Sequence, residues 1–222
     1  MNSMTATQDV TTHRAWRRLP STRRIDLMNP DPDAWTDRDL ACLMSRTARW
    51  AGESSWQETL SVAQHSLMVL ELMRLTAPVP MTAAEELREL LHDAEEGFLG
   101  FDPISPLKQA FGDPFRQVAD RLLTCIFTRY GVTDWDAEAY ARHKLADRTA
   151  AAGEAVHCVG WSPSEVVDVL GITAPIPDID PLASIYGGKP WQPWTAAMAE
   201  ARFLTELRRL AQLARLEEVA AR

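Results

Sequence analysis

Histidine and carboxylate side chains are concentrated in the stretch Leu90–Lys108, LLHDAEEGFLGFDPISPLK. His92 and Asp93 are adjacent, and Glu95 and Glu96 follow them. Apolar residues at helical spacing around this pair predict a largely buried helix. Burying an imidazole beside several carboxylates is costly unless a positive group compensates, and a divalent cation is a common solution. The stretch therefore predicts a metal site.

Further ligands for such a site lie elsewhere in the chain, His65 upstream and Asp147 downstream. Together with His92 and Asp93 they supply two imidazoles and two carboxylates, which suit a first-row divalent ion and leave two octahedral positions open. Open positions admit water and a substrate oxygen, and coordination lowers the pKa of bound water toward neutrality. Glu96 lies four residues after His92, so it could orient that water or move its proton.

Each of these residues also has a structural interpretation. A single histidine inside an apolar helix, such as His65, is more often a hydrogen-bonded core residue than a metal ligand. Asp147 could pair with a basic neighbour on its own helix. His143 lies one turn before Asp147 and is a rival ligand, although a solvent-facing position is the better expectation. The combination of the adjacent pair with both distant residues is the stronger indication.

The elements that would position these side chains are predicted to be helices. Capping and periodicity patterns predict helices from about 36 to 50, 59 to 76, 82 to the His-Asp pair, 114 to 130, 134 to 153, 162 to 170 and 195 to 219. From Gly97 to Lys108 an irregular turn is expected to shape the mouth of the site. No segment shows sustained strand alternation, so the expected fold class is all-α.

The expected organisation is a flexible N-terminal tail over residues 1–21 and one domain over residues 22–222. The domain also contains an irregular N-terminal arm and a loop rich in proline and glycine (residues 171–194) before the C-terminal helix. A leucine stripe on that last helix could pack on the protein's own core or on a second subunit, which favours a possible homodimer. The stripe consists of Leu204, Leu207, Leu210 and Leu213.

Composition narrows the function classes. The chain has 222 residues and a net charge of −8, which argues against a general binder of nucleic-acid polymers. No apolar run reaches the length of a membrane span, and the N-terminus lacks the apolar segment of a secretory signal. Cys42, Cys125 and Cys158 form no paired motif. These features predict a cytoplasmic protein with no membrane partner and with thiols in its core.

The order His65, His92-Asp93, Asp147 resembles that of the HD-domain metal-dependent phosphohydrolase superfamily. Local segments are similar to its branch of bacterial 5′-deoxyribonucleotidases and related phage and bacterial phosphohydrolases. These segments are SVAQHS (61–66), LLHDAEEGFLG (90–100), DPISPLK (102–108), ADRTAAAGEA (146–155) and the pair Arg49-Trp50. The resemblance extends from about residue 22 to the C-terminal helix, and it is more specific for the superfamily than for a substrate.

The resemblance implies an all-α HD-domain helical bundle and a role for each matching residue. It assigns one divalent ion (Co, Mn, Fe, Ni, Zn or Mg) to His65, His92, Asp93 and Asp147. It assigns acid–base catalysis to Glu96. It assigns contacts with the phosphate and with the nucleobase or sugar to Arg49 and Trp50. Asp102 would help to position water or sugar, and Lys108 could add positive charge. Phe101 separates Gly100 from Asp102, where the family usually has Gly-Asp directly, so the reach of Asp102 is an open question.

The expected function is hydrolysis of the phosphoester of a (deoxy)nucleoside 5′-monophosphate by a metal-activated water. One alternative is a (deoxy)nucleoside triphosphate phosphohydrolase of the same fold. Another, from a different class, is a non-catalytic sensor that binds a nucleotide. An intact set of four metal-binding side chains together with Glu96 favours an enzyme, because a sensor needs no activated water.

Overall fold

A computed structural model describes residues 15–220 as a mostly helical protein with one small hairpin near the N-terminus. The short strands are β1 (Trp16–Arg18) and β2 (Arg24–Asp26). The helices are α1 (Asp37–Arg46), α2 (Val62–Thr76), α3 (Ala83–Leu90), α4 (Ala94–Leu99), α5 (Ser105–Tyr130), α6 (Ala137–Glu154), α7 (Pro163–Asp168), α8 (Ala183–Tyr186) and α9 (Ala196–Ala220). The all-α expectation is therefore correct for the bulk of the chain and needs a correction at the hairpin.

The hairpin pairs β1 with β2 in antiparallel register, with Arg17 opposite Ile25. Each strand has only three residues, which is too short to show an alternating pattern in the sequence. Arg17 Nη1 donates to the carbonyl oxygen of Gly97 at 2.7 Å and also to that of Phe98, so the hairpin covers the end of α4. The predicted boundary at residue 22 runs between the two strands, and residues 1–14 of the expected tail lie outside the described residues.

Asp39, on α1, fixes the turn of the hairpin to the helix. Its carboxylate accepts the backbone N–H and the hydroxyl of Ser21, both at 2.7 Å, and the backbone N–H and hydroxyl of Thr36 at 2.9 and 2.8 Å. Burial raises the pKa of Asp39, but the hydrogen bonds from Ser21 and Thr36 outweigh burial and lower it. The folded protein therefore favours the ionised carboxylate.

We expect Asp39→Asn to lower the free energy of unfolding by about 2 kcal/mol at pH 7, because an amide donor would face the Ser21 and Thr36 donors. Since the folded-state pKa is depressed, this contribution is present above the unfolded-state value of 3.8 and is lost as the pH falls through the folded-state pKa. Urea unfolding at several pH values checks both statements. Asp113→Asn, at an exposed ion pair, should change the free energy little.

The core is organised around α2, which is buried over almost its whole length. Helix α6 packs on one side of it, and α1, α3 and α9 pack around the rest. On α9, Leu207 and Leu210 are fully buried within the chain, whereas Leu213 is partly exposed. The predicted leucine stripe thus packs mainly on the protein's own core, and the homodimer stays a prediction.

The region of the His-Asp pair differs from the predicted single helix. Helix α3 ends at Leu90, a turn carries His92 and Asp93, and α4 begins at Ala94. The predicted break at Gly97 is also wrong, since this glycine lies inside α4. A Cβ at Gly97 would lie 3.1 Å from Met44 Sδ, so the residue permits close approach of α4 to α1. The helix ends at Gly100, whose φ of 86° favours glycine.

Helix α5 also begins earlier than predicted, at Ser105 instead of about Pro114. It is interrupted at Gly112, where φ is 68° and ψ is −157°, a conformation that essentially only glycine adopts. The first part of the helix therefore includes Lys108, which the sequence placed in an irregular turn. This part leads directly into the candidate site.

Two sequence expectations concern the environment of the chain. Cys42, Cys125 and Cys158 are free thiols and are buried, as expected for core residues. Across residues 15–220, no helix has both the length and the apolar character needed to cross a bilayer.

Candidate functional site

Four of the predicted residues meet where two helices and one turn come together. His65 projects from α2, His92 and Asp93 from the turn between α3 and α4, and Asp147 from α6. His65 Nε2 lies 3.3 Å from His92 Nε2, 3.4 Å from Asp147 Oδ1 and 3.6 Å from Asp93 Oδ2. His92 Nε2 lies 3.3 Å from Asp93 Oδ2. We call these four residues the central cluster.

The outer nitrogen of each histidine is held by a separate acceptor. His65 Nδ1 donates to Glu154 Oε1 at 2.6 Å, and His92 Nδ1 donates to the backbone carbonyl oxygen of Glu89 at 2.7 Å. An acceptor at Nδ1 fixes the ring orientation and makes Nε2 the more basic ligand atom. Both Nε2 atoms are therefore directed into the central cluster.

The spacing of these atoms fits one first-row divalent ion. An octahedral ion with bonds of about 2.1 Å places neighbouring ligand atoms about 3 Å apart. The observed separations, 3.3 Å between the two Nε2 atoms and 3.3 to 3.6 Å between Nε2 and carboxylate oxygen atoms, need only small side-chain movements to meet that value. Imidazole and carboxylate together suit Mn, Fe, Co, Ni or Zn. The donor set and these separations could accommodate such an ion, and the bound cation stays a prediction.

The electrostatics of the central cluster favour a positive charge at its middle. Burial alone would lower the pKa of His65, but the carboxylates of Glu154 and Asp147 raise it to about 9. Burial would raise the pKa of Asp93, but His92, Lys108 and His65 hold it well below its usual range. The pKa of Asp147 is also lowered, because the hydrogen bond and charge of His65 outweigh burial. Either a proton or a metal ion at His65 Nε2 satisfies this arrangement.

Arg49 lies beside the central cluster, nearly buried, and is held by acidic side chains from distant segments. Its Nε donates to Glu154 Oε2 at 3.0 Å, and its Nη1 donates to Asp102 Oδ2 at 3.2 Å. Nη1 also lies 3.6 Å from Asp93 Oδ2. Asp102 therefore reaches the site despite the extra Phe101, and its observed contact there is with Arg49.

Trp50 is fixed at the rim of the site by an uncommon backbone conformation. Trp50, Ala51 and Gly52 have φ values of 55°, 53° and 85°, a left-handed run that is strained for the first two residues. The indole Nε1 of Trp50 donates to Glu154 Oε2 at 3.0 Å, which orients the partly buried ring. Strain of this kind is typical of functional sites, where it sets the direction of a side chain.

Glu96 and Lys108 form an ion pair close to Asp93 in the candidate site. Glu96 is 1% exposed, and its Oε1 accepts from Lys108 Nζ at 2.8 Å. Its Oε2 is buried without a hydrogen-bond partner among the described residues. Burial and the charges of Asp93 and Asp102 raise the pKa of Glu96 well above its ordinary value. Lys108 is therefore a site residue, although part of its side chain is exposed.

The loop rich in proline and glycine anchors the end of α6 beside Glu154. Trp191, which is 5% exposed, lies against Gly153, where an added Cβ would come within 2.5 Å of the indole ring. The ring also stacks on His157 at a centroid distance of 4.4 Å. Asp180 accepts the backbone N–H of Trp191 at 2.8 Å. This loop, expected only to cover the surface, therefore contributes buried packing next to the site.

Comparison with known proteins finds a relative that matches most of the chain. No family model matches the chain. An uncharacterized protein of Rhodobacter capsulatus is 36% identical over 164 residues, which cover 73% of this chain and 83% of the relative. The chain belongs to the family of that protein. The relative's name states no activity.

Sequence patterns did not indicate two buried carboxylates of this chain, Glu154 and Glu89. Glu154 is fully buried and binds His65, Arg49 and Trp50. It follows Asp147 by seven residues, which is two helical turns, and that spacing could have indicated a shared face. Glu89 is fully buried three residues before His92. No pattern in the sequence distinguishes it from the neighbouring glutamates of α3.

His143 is also placed differently from the expectation. It is 3% exposed, so the expected solvent-facing position is wrong. Its Nδ1 donates to Glu89 Oε2 at 2.7 Å, and its ring packs against Trp135 and Tyr140. The aromatic side chains that cover it come from the start of α6 and the residues before it. Its ring also contacts the ring of His92, with 4.9 Å between centroids.

Proposed function

We propose that this protein is a metal-dependent phosphohydrolase of the HD-domain superfamily that removes phosphate from a (deoxy)nucleoside 5′-monophosphate. The observation that carries the proposal is the pair of Nε2 atoms of His65 and His92, 3.3 Å apart, with each Nδ1 already donating outward. Two such nitrogens, flanked by the carboxylates of Asp93 and Asp147, favour a shared cation.

The central cluster would hold one divalent ion, whose identity among Mn, Fe, Co, Ni, Zn and Mg is left open. When bound, this ion supplies Lewis-acid polarisation of a phosphoryl oxygen and lowers the pKa of water. The acceptors of the two Nδ1 atoms, Glu154 Oε1 and the backbone carbonyl oxygen of Glu89, would orient both imidazoles toward this ion. The other side chains of the site would bind and orient the substrate and transfer protons.

Arg49 and Lys108 would bind the phosphate. Arg49 presents a planar guanidinium whose Nε and Nη1 edges are fixed by Glu154 and Asp102, so its orientation needs no reorganisation when substrate arrives. Lys108 contacts Glu96, and the carboxylates of Asp93, Glu96 and Asp102 raise its pKa, which keeps the ammonium charged. Two cations match the charge of one phosphate better than that of a triphosphate chain, which favours a monophosphate.

Glu96 would hold and transfer the proton. Burial and the neighbouring carboxylates raise its pKa, so its carboxyl group would bind a proton more readily than an ordinary glutamate, as a general acid or base requires. Asp102 would keep Arg49 in place, and the fixed indole face of Trp50 would contact the base or sugar. These roles are assigned from position and charge around the central cluster.

Phosphate release from a nucleotide panel tests the proposal. Chelator-treated protein is supplied with Mn²⁺, Co²⁺, Zn²⁺ or Mg²⁺ and assayed on ribo- and deoxynucleoside mono- and triphosphates. We expect orthophosphate from monophosphates with at least one ion and none after chelation. Release of triphosphate, or stepwise cleavage of triphosphates alone, would favour the triphosphate phosphohydrolase. Nucleotide binding without phosphate release in the presence of any of these ions would favour the sensor.

A further inference from the structure

A second buried network lies behind His92, outside the central cluster. Its centre is Glu89, which is 0% exposed. Glu89 Oε2 accepts from His143 Nδ1 at 2.7 Å, and Glu89 Oε1 accepts from Trp135 Nε1 at 2.7 Å. The guanidinium of Arg88 lies over the Trp135 ring, 5.5 Å from its centroid, and covers this group from outside.

The network connects the two segments that carry His92 and Asp147. The backbone carbonyl of Glu89 accepts from His92 Nδ1 at 2.7 Å, while its side chain holds His143. His143 precedes Asp147 by one turn of α6, and its ring meets the His92 ring edge-on at 4.9 Å. A single residue, Glu89, therefore contacts one candidate ligand directly and the helix of the other through His143.

The chemistry of this network indicates a role in orientation. Burial raises the pKa of Glu89, but the donors His143 and Trp135 outweigh burial and lower it, so the group is a carboxylate. An apolar pair of similar volume would pack α3 against α6 at least as favourably, because a buried charge carries a desolvation cost. Hydrogen bonds differ from apolar packing in fixing direction and distance. Here they fix His143 against His92.

We propose that Glu89 and His143 form a buried joint that sets the position of His92 relative to Asp147 and thereby the affinity of the central cluster for its metal ion. Both are positioning residues that act through other side chains. This inference rests on the proposed metal centre, since it concerns the arrangement of that centre's ligands.

Titration of metal-free protein with Mn²⁺ tests the joint without using activity. We expect Glu89→Gln and His143→Phe each to weaken Mn²⁺ binding about 10- to 100-fold, the usual effect of losing a group that orients a ligand. The double variant should bind about as weakly as either single variant, because the two residues act as one unit. His143→Asn, which keeps a donor toward Glu89, should restore much of the affinity.

The control is Glu206→Gln, which alters a partly buried ion pair of α9 with Arg74 far from the cluster and should leave Mn²⁺ affinity unchanged. The absorption spectrum of bound Co²⁺ gives a second readout, since its bands report ligand geometry. Unchanged Mn²⁺ affinity and an unchanged Co²⁺ spectrum in Glu89→Gln would overturn this proposal. Additive losses of Mn²⁺ affinity in the double variant would also overturn it.

Two further outcomes are distinguishable. Wild-type protein that binds neither Mn²⁺ nor Co²⁺ would remove the proposed metal centre and this inference together, whereas tight wild-type binding with unaffected variants removes the inference alone. If Glu89→Gln does not fold, Trp135→Phe removes one donor to Glu89 with little change in volume, and it should weaken Mn²⁺ binding in the same direction.

Discussion

Asp93→Asn is expected to lower phosphate release from the nucleotide substrate about 1,000-fold, because an anionic ligand of the proposed cation is lost and several kcal/mol of stabilisation are lost with it. Asp93 Oδ2 lies within 3.6 Å of the Nε2 atoms of both histidines, so no other side chain replaces it without rearrangement. Metal analysis of the purified variant should find much less than one ion per chain, against about one in the wild type.

Glu96→Gln is the matched comparison, because it also replaces an acid by its amide within the same short segment. Carboxylate oxygens of Asp93 and Glu96 lie within 4.8 Å of each other, but Glu96 Oε1 accepts from Lys108 Nζ at 2.8 Å, whereas Asp93 Oδ2 lies beside the Nε2 atoms of His65 and His92. We expect about 100- to 10,000-fold lower turnover with metal content unchanged, as for the loss of a general acid or base. Loss of the metal ion in Glu96→Gln, or normal turnover in Asp93→Asn, would contradict the division of roles proposed here.

Glu154→Ala should be the most destabilising substitution near the site, lowering the free energy of unfolding by about 3–5 kcal/mol. The carboxylate is fully buried, and it accepts hydrogen bonds from His65, Arg49 and Trp50. Its removal leaves a buried guanidinium without its closest partner. Urea or guanidinium unfolding of metal-free protein measures the effect apart from any contribution of a bound ion.

Glu138→Ala on the same helix is the control, since Glu138 is exposed and, within residues 15–220, forms its ion pair with Arg142 one turn later. We expect a change of no more than about 0.5 kcal/mol there. A cost below about 1 kcal/mol for Glu154→Ala would show that Arg49 and His65 find other partners, and it would remove Glu154 from the framework of the site.

Local sequence patterns predicted the starts of three helices well. Thr36, Thr82 and Ser162 each cap a helix in a capping box, because the residues that make this motif lie within four positions of one another. The expected break at Gly97 was wrong for a different reason. Gly97 fits against Met44, more than fifty residues away, and such a close approach leaves no local pattern.

The same distinction applies to the site. His65, His92, Asp93 and Asp147 were predicted from residue type and order, and the fold brings them together. Glu154 could not be assigned with similar ease, because its partners lie in two other segments and a glutamate in an alanine-rich helix is ordinary. Trp191 was missed for a related reason, since its packing on Gly153 depends on how a loop without regular structure returns to α6.

The distance along the chain between Arg49 and Glu154 has a consequence for biosynthesis. These two residues are 105 positions apart, and Glu154 lies at the last residue of α6. A nascent chain that has emerged only as far as α5 carries the guanidinium without the carboxylate that is its nearest counter-ion. Pairings across such a separation form late, because the loop must close first. We expect the candidate site to assemble only after α6 has emerged from the ribosome, so shorter nascent fragments should be prone to proteolysis.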